Sequence, residues 1–195
     1  FFGTSAWTCA AQTVNAHPIR RCVKGSSVSY DMRLPDGATS GEGFAGHGAI
    51  GMLRDGFITS LSAIDASTTY SSWGDFTATL GAIIDVESGN LGAPYVEVHA
   101  PEYDRVINPN DHPDHLATAD ALRASSTTHS WNVTWHVDYQ IQNMAINLTQ
   151  AAHDLKVQAF YGYDNYMGAG GYGRNQYESD YQAWLWRDYV RTTGP

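Results

Sequence analysis

Between Pro94 and Gln142 the chain sets out a short β-branched run, "PYVEVHA", then a helix-forming segment opened by "DHPDHLATADAL", then the strict alternation of "WNVTWHVDYQIQ". Strand, helix and strand in that order predict a parallel pair, because parallel neighbours need a crossover of a dozen or more residues, usually helical. The flanking segments extend the pattern. "SVSYDMRLPDG" predicts a strand over about Val28 to Leu34, closed by a turn at Pro35, Asp36 and Gly37. "SSWGDFTATLGAIIDVES" places Phe76, Leu80, Ile83 and Ile84 at helical spacing, with Ser71 or Ser72 available as a cap. Two closing helices are expected, one over about Leu148 to Tyr161 and one over about Ser179 to Arg191 with Tyr181, Trp184, Leu185 and Tyr189 as its apolar stripe. A Gly- and Tyr-rich surface loop is expected between them. Strands separated by helices imply an α/β fold with a mostly parallel sheet covered on both faces, in a single domain over 1–195.

Composition narrows the class of partner. The 195 residues are 43% apolar and contain no run of 18 apolar positions, so one core in water is expected and no membrane span. A net charge of −9, with 11 Lys and Arg spread thinly and only Arg20 and Arg21 adjacent, offers no basic stripe for nucleic acid. The two cysteines, Cys9 and Cys22, would close a loop of about 14 residues worth roughly 3 kcal/mol; two unpaired thiols are the alternative. "NVT" at Asn132 and "NLT" at Asn147 are glycosylation sequons, although Asn147 serves equally well as a helix cap. Disulfide and sequons together predict a secreted, extracellular protein.

Function concentrates in "NPNDHPDHLATADAL", where Asp111, His112, Asp114 and His115 crowd the approach to a helix. Ligands of parallel α/β sheets bind beyond the carboxyl ends of the strands, which is where this loop falls. Two histidines at this spacing can face one point, with Pro113 stiffening the turn and Asp114 placed to fix one ring's tautomer. One imidazole would bind a metal such as zinc, and the other would donate to the oxyanion of a tetrahedral intermediate. The alternative is a polar loop in which Asp111 or Asp114 caps the helix and the histidines are solvated. Elsewhere His99 is expected in the core or behind the site, and His47 in a solvated loop. His129, His136 and His153 have no informative spacing. Tyr161, Tyr163, Tyr166 and Tyr172 are either sugar-stacking residues or ordinary surface-loop tyrosines.

"DHPDHLATADAL" resembles the second signature of the PIG-L or LmbE-like family of zinc-dependent N-deacetylases. "MRLPDG", "LRDGFITSLSAIDASTTYS" with the following "FTATLGAII", and "NLTQAAHDLKVQAFYGY" agree with it in order, so the likeness covers most of the chain. The resemblance implies a Rossmann-like three-layer α/β/α fold and removal of an acetyl group from an N-acetylglucosamine-containing substrate. It implies His115 as a zinc ligand, His112 as the oxyanion-stabilising or acid histidine, Asp114 as its orienting partner and Asp111 behind them. The family's first signature, a His-Pro-Asp-Asp-Glu run, is absent. "NAHPIRR" imitates it, but Ile19 and Arg20 stand where carboxylates belong, so His17 is expected at the surface beside the disulfide. Two expectations follow. Either an N-terminal segment of the same precursor supplies the missing strands and zinc ligands, or the chain is a non-catalytic relative that binds glycan or serves structurally.

Overall fold

The computed structural model describes residues 6–92, 95–169 and 181–194. The chain divides into two compact units, one comprising Phe1–Val98, His112–Val133 and Gly194–Pro195, the other His99–Asp111 and Thr134–Thr193.

The first unit opens with a three-stranded antiparallel meander, β1 (Thr8–Val14), β2 (His17–Lys24) and β3 (Ser27–Asp31). Asn15 and Ala16, both with positive φ (47° and 66°), make the two-residue turn that matches the twist of a hairpin. In this register Cys9 lies directly opposite Cys22, and the two form a disulfide. Across β2 the side chains of His17, Ile19 and Arg21 share one face. Two of them grip α2 (Trp73–Leu91): His17 Nε2 lies 2.9 Å from Asp75, and Arg21 makes a fork of two bonds to Glu87. Ser72 starts α2 by accepting the Asp75 amide, and Gly92 in the left-handed region ends it.

The core of this unit gathers Ile50 and Leu53 of α1 (Ile50–Arg54), Leu61 and Tyr70 of the small hairpin β4 (Leu61–Ser62) and β5 (Thr69–Tyr70), Phe76 of α2, and Ala117 and Ala121 of α3 (Pro113–Ser126). Small residues on α3 let its backbone lie close to α2, where Ser125 Oγ donates to the Thr77 carbonyl. Burial, and then the Asp75 carboxylate, push the Tyr70 phenol up to about 12.

The remaining strands are β6 (Val96–Pro101), β7 (Trp131–His136) and β8 (Val190–Thr193), in the order β6-β7-β8. In the second unit the Glu102 amide donates to the His136 carbonyl, joining the carboxyl ends of β6 and β7, so these two run parallel. The Val137 amide donates to Tyr189 at the start of β8, which therefore runs the other way. Glu102 is fully buried, and Arg191 neutralises it with a fork of two bonds at 2.6 and 3.0 Å. A 3₁₀ helix (Tyr139–Asn143), α4 (Gln150–Ala169) and α5 (Tyr181–Leu185) complete this unit. No helix among the described residues is long and apolar enough to cross a membrane.

The mostly parallel, Rossmann-like sheet is therefore not formed. The fold is mixed α/β with two small antiparallel sheets and one mixed three-stranded sheet. The cause is local: connections of about two residues between β1, β2 and β3 allow only antiparallel pairing, and the parallel expectation treated well-separated strands as members of one sheet. Other boundaries move too. The strand expected to reach Leu34 ends at Asp31, and the helix expected to end near Tyr161 continues to Ala169, through residues read as loop. The last expected helix breaks at Leu185, and Val190–Thr193, a β-branched run, becomes β8. His17 is not a surface residue: it is 7% exposed, its ring 4.6 Å from Tyr70 and its Nδ1 2.7 Å from the Thr68 hydroxyl.

Candidate metal and proton-transfer site

In the first unit the loop containing Pro35, Asp36 and Gly37 comes to the N-terminus of α3. Asp114, in the first turn, accepts the Gly37 amide through Oδ2 at 2.8 Å. The approach requires glycine. A Cβ on Gly37 would lie 2.4 Å from Asp114 Oδ1, and one on Gly41 would lie 2.8 Å from the Pro113 side chain. Asp36 is exposed and folds back to accept the Ala38 amide at 2.6 Å, an Asx-type turn that holds Ala38 at a φ of 56°.

His112 is the N-cap of α3. Neither Asp111 nor Asp114 takes that position: His112 Nδ1 accepts the Asp114 amide at 3.2 Å. A ring nitrogen that accepts an amide proton carries none itself, so the neutral imidazole has its proton on Nε2. His112 is thereby held as a hydrogen-bond donor. Asp114 contributes its backbone to this orientation; its carboxylate lies 3.9 Å from Nδ1. The His115 ring lies 5.4 Å from that of His112, tilted by 51°.

The donor chemistry fits a divalent cation. Asp36, His112 and Asp114 each offer a ligand atom, all within 4.8 Å of one another. Asp114 Oδ1 is buried and has no hydrogen-bond partner among the described residues, an arrangement that costs about 1 to 3 kcal/mol unless something charged or polar meets it. His112 Nδ1 can serve the helix cap or a metal, not both at once, and the cap geometry favours the donor role.

Asp111 belongs to the second unit, where it is 5% exposed and accepts a 2.8 Å bond from Asn108. His99 is exposed, not in a core, and its Nδ1 lies 2.8 Å from His136 Nε2. His129 bonds to Asp85 and stacks on Trp131, and His153 stacks on Trp186 at 3.6 Å. Asn132 is half-buried in β7. Asn147 exchanges two hydrogen bonds with the Asp188 backbone, so its amide nitrogen is already engaged and it caps no helix. Tyr161, Tyr163 and Tyr166 are exposed on α4, and Tyr172 lies outside the described residues.

Sequence reasoning read Asp36 only as a turn residue. The signal was the "PDG" of the segment that shares the family likeness, but its partner lies 77 positions from Gly37. No family model matches the chain, and no curated protein or solved structure is similar to it.

Proposed function

We propose that this protein is a secreted, metal-dependent hydrolase that removes an N-acetyl group from an N-acetylglucosamine-containing substrate. The observation that carries this reading is the state of His112. Its Nδ1 is held by the Asp114 amide, which leaves the ring proton of the neutral imidazole on Nε2, suited to donate to a carbonyl oxygen gaining negative charge. A donor preset in this way stabilises the transition state more than the ground state. The resemblance of "DHPDHLATADAL" and the three other segments to the PIG-L family supports the substrate class and assigns the metal to His115.

The division of labour follows. A bound zinc ion supplies Lewis acidity toward the amide carbonyl. By that resemblance His115 would hold it, whereas Asp36 and Asp114, the latter fixed by the Gly37 amide, are the carboxylates whose donor atoms cluster with His112. His112 orients the carbonyl and stabilises the charge growing on its oxygen by donating the Nε2–H hydrogen bond. The disulfide of Cys9 and Cys22 fits an oxidising compartment, consistent with secretion.

The test is acetate release from N-acetylglucosamine oligomers by the purified chain. Release that stops on chelation and returns with zinc supports the reading; none in the presence of excess zinc rejects it. In that event the non-catalytic, glycan-binding reading, which the missing first signature favours, takes its place.

A further inference from the structure

In the second unit two imidazoles meet across the parallel strands β6 and β7. His99 Nδ1 lies 2.8 Å from His136 Nε2, with the ring planes at 36°. The strands dictate this meeting. Ala100, Trp135 and Val137, the sequence neighbours of these histidines, are buried, so the period of two turns both imidazoles to the other side, where His99 is exposed and His136 half-buried. The bond from the Glu102 amide to the His136 carbonyl ties the two strands at this level and fixes the spacing. On the far side of the His136 ring the Asp188 carboxylate lies 4.0 Å from Nδ1, and Asn147 pins the Asp188 backbone with two hydrogen bonds. Its negative charge favours the ring proton on Nδ1, which leaves the Nε2 lone pair directed at His99. Burial holds His136 below its ordinary value of 6.5, with His99 and Lys156 acting in the same direction and Asp188 against them, so the ring is neutral when paired.

Neutral imidazoles facing one another at this distance share one proton in an N–H···N bond. Both nitrogens offer lone pairs to one cation once that proton moves to the other nitrogen of the His99 ring. We propose that His99 and His136, with Asp188 behind the second ring, form a binding site for a divalent transition metal, copper(II) foremost. Imidazole nitrogens suit copper, zinc and nickel, and the affinity order of the first-row divalent ions peaks at copper. A carboxylate behind the far nitrogen is the usual companion of a metal-binding histidine, because it fixes the tautomer and the orientation of the ring. Two protein ligands leave the remaining coordination positions to water, so the ion is presented at the surface and exchanges with solvent. The site rests on no part of the proposed hydrolysis, since His112, Asp114 and His115 belong to the first unit.

The experiment is titration of copper(II) chloride into the full chain, followed by the visible absorption and electron paramagnetic resonance of the bound ion. One copper equivalent that wild type binds and His115→Ala retains is expected. His99→Ala and His136→Ala should each weaken it by at least about tenfold, the equivalent of roughly 1.4 kcal/mol. Acylation of the folded wild type by diethyl pyrocarbonate, mapped by mass spectrometry, needs no variant: copper should protect His99 and His136 together. No saturable copper binding by the wild type at millimolar ion, unchanged affinity in either alanine variant, loss of the equivalent in His115→Ala, or acylation of both histidines in the copper-loaded chain would each overturn the site. Copper bound at His99 and His136 without acetate release would remove the hydrolase and leave this site. Acetate release with no copper bound there would do the reverse.

Discussion

Replacing Gly37 by alanine places one methyl group against the carboxylate at the head of α3. The added carbon would stand 2.4 Å from Asp114 Oδ1 and 2.9 Å from Cγ and Oδ2. To restore ordinary contact the carboxylate must retreat by about 1 Å, which stretches the 2.8 Å bond from the Gly37 amide beyond hydrogen-bond range. A bond to a charged group contributes about 1.5 to 3 kcal/mol. The Asp114 side chain is 22% exposed, so water recovers part of that, and alanine returns roughly 0.4 to 1 kcal/mol by narrowing the unfolded chain. The net expectation is a loss of about 1 kcal/mol, or roughly 2 to 4 °C in Tm for a chain of this size. Calorimetry gives the stability, and zinc titration of the same variant should show weakened binding, because Asp114 no longer sits where the loop holds it. Wild-type Tm together with wild-type zinc affinity would refute the reasoning that the glycine loop positions this carboxylate.

Two further outcomes concern the N-terminal meander. The Arg21 guanidinium, with help from the Tyr30 hydroxyl, holds the Glu87 carboxyl at about 2, well below its ordinary 4.5. A depressed carboxylate stabilises the fold above its unfolded value and loses that contribution as pH falls through the folded one. At about 1.36 kcal/mol per pH unit the ceiling is about 3 kcal/mol, and solvent screening of this partly exposed pair lowers it to roughly 1 to 2. The stability gap between wild type and Glu87→Gln, read from urea midpoints, should therefore close between pH 4.5 and 2; a constant gap would contradict the pairing. Reducing Cys9–Cys22 should lower stability by up to about 3 kcal/mol and open the meander to protease before α2 and α3. Unchanged midpoint and cleavage pattern under reductant would show that strand pairing alone holds the hairpin.

Strong local signals were legible in the sequence. The Ser72 cap and the apolar spacing of Phe76 and Leu80 mark α2, and the crossover from "VEVHA" through α3 to "WNVTWH" appears as the parallel β6–β7 pair. The β1–β2 hairpin was hidden because its turn is Asn-Ala, without the glycine that usually marks two positive φ values. Gly162 and Gly168 read as breakers, yet both lie inside α4. The apolar spacing of Trp184, Leu185 and Tyr189 looked helical and masked the β-branched end that pairs as β8. At the site the clustering of Asp111, His112, Asp114 and His115 was visible because all four lie within five positions. The docking of Gly37 onto Asp114 was not, since it is a contact between distant segments that no local pattern encodes. Trp184 likewise read as part of a core stripe until its partner Tyr139 was known.

The central claim is that His115 serves the metal while His112 serves the reacting carbonyl. Zinc content per chain, measured beside acetate release for wild type, His112→Ala and His115→Ala, tests it most directly. The account predicts that His115→Ala loses the metal and the activity together, and that His112→Ala keeps the metal and loses turnover, because its Nδ1 is committed to the Asp114 amide and its Nε2–H to the substrate. Equal metal loss in both variants, or undiminished deacetylation in either, would contradict it.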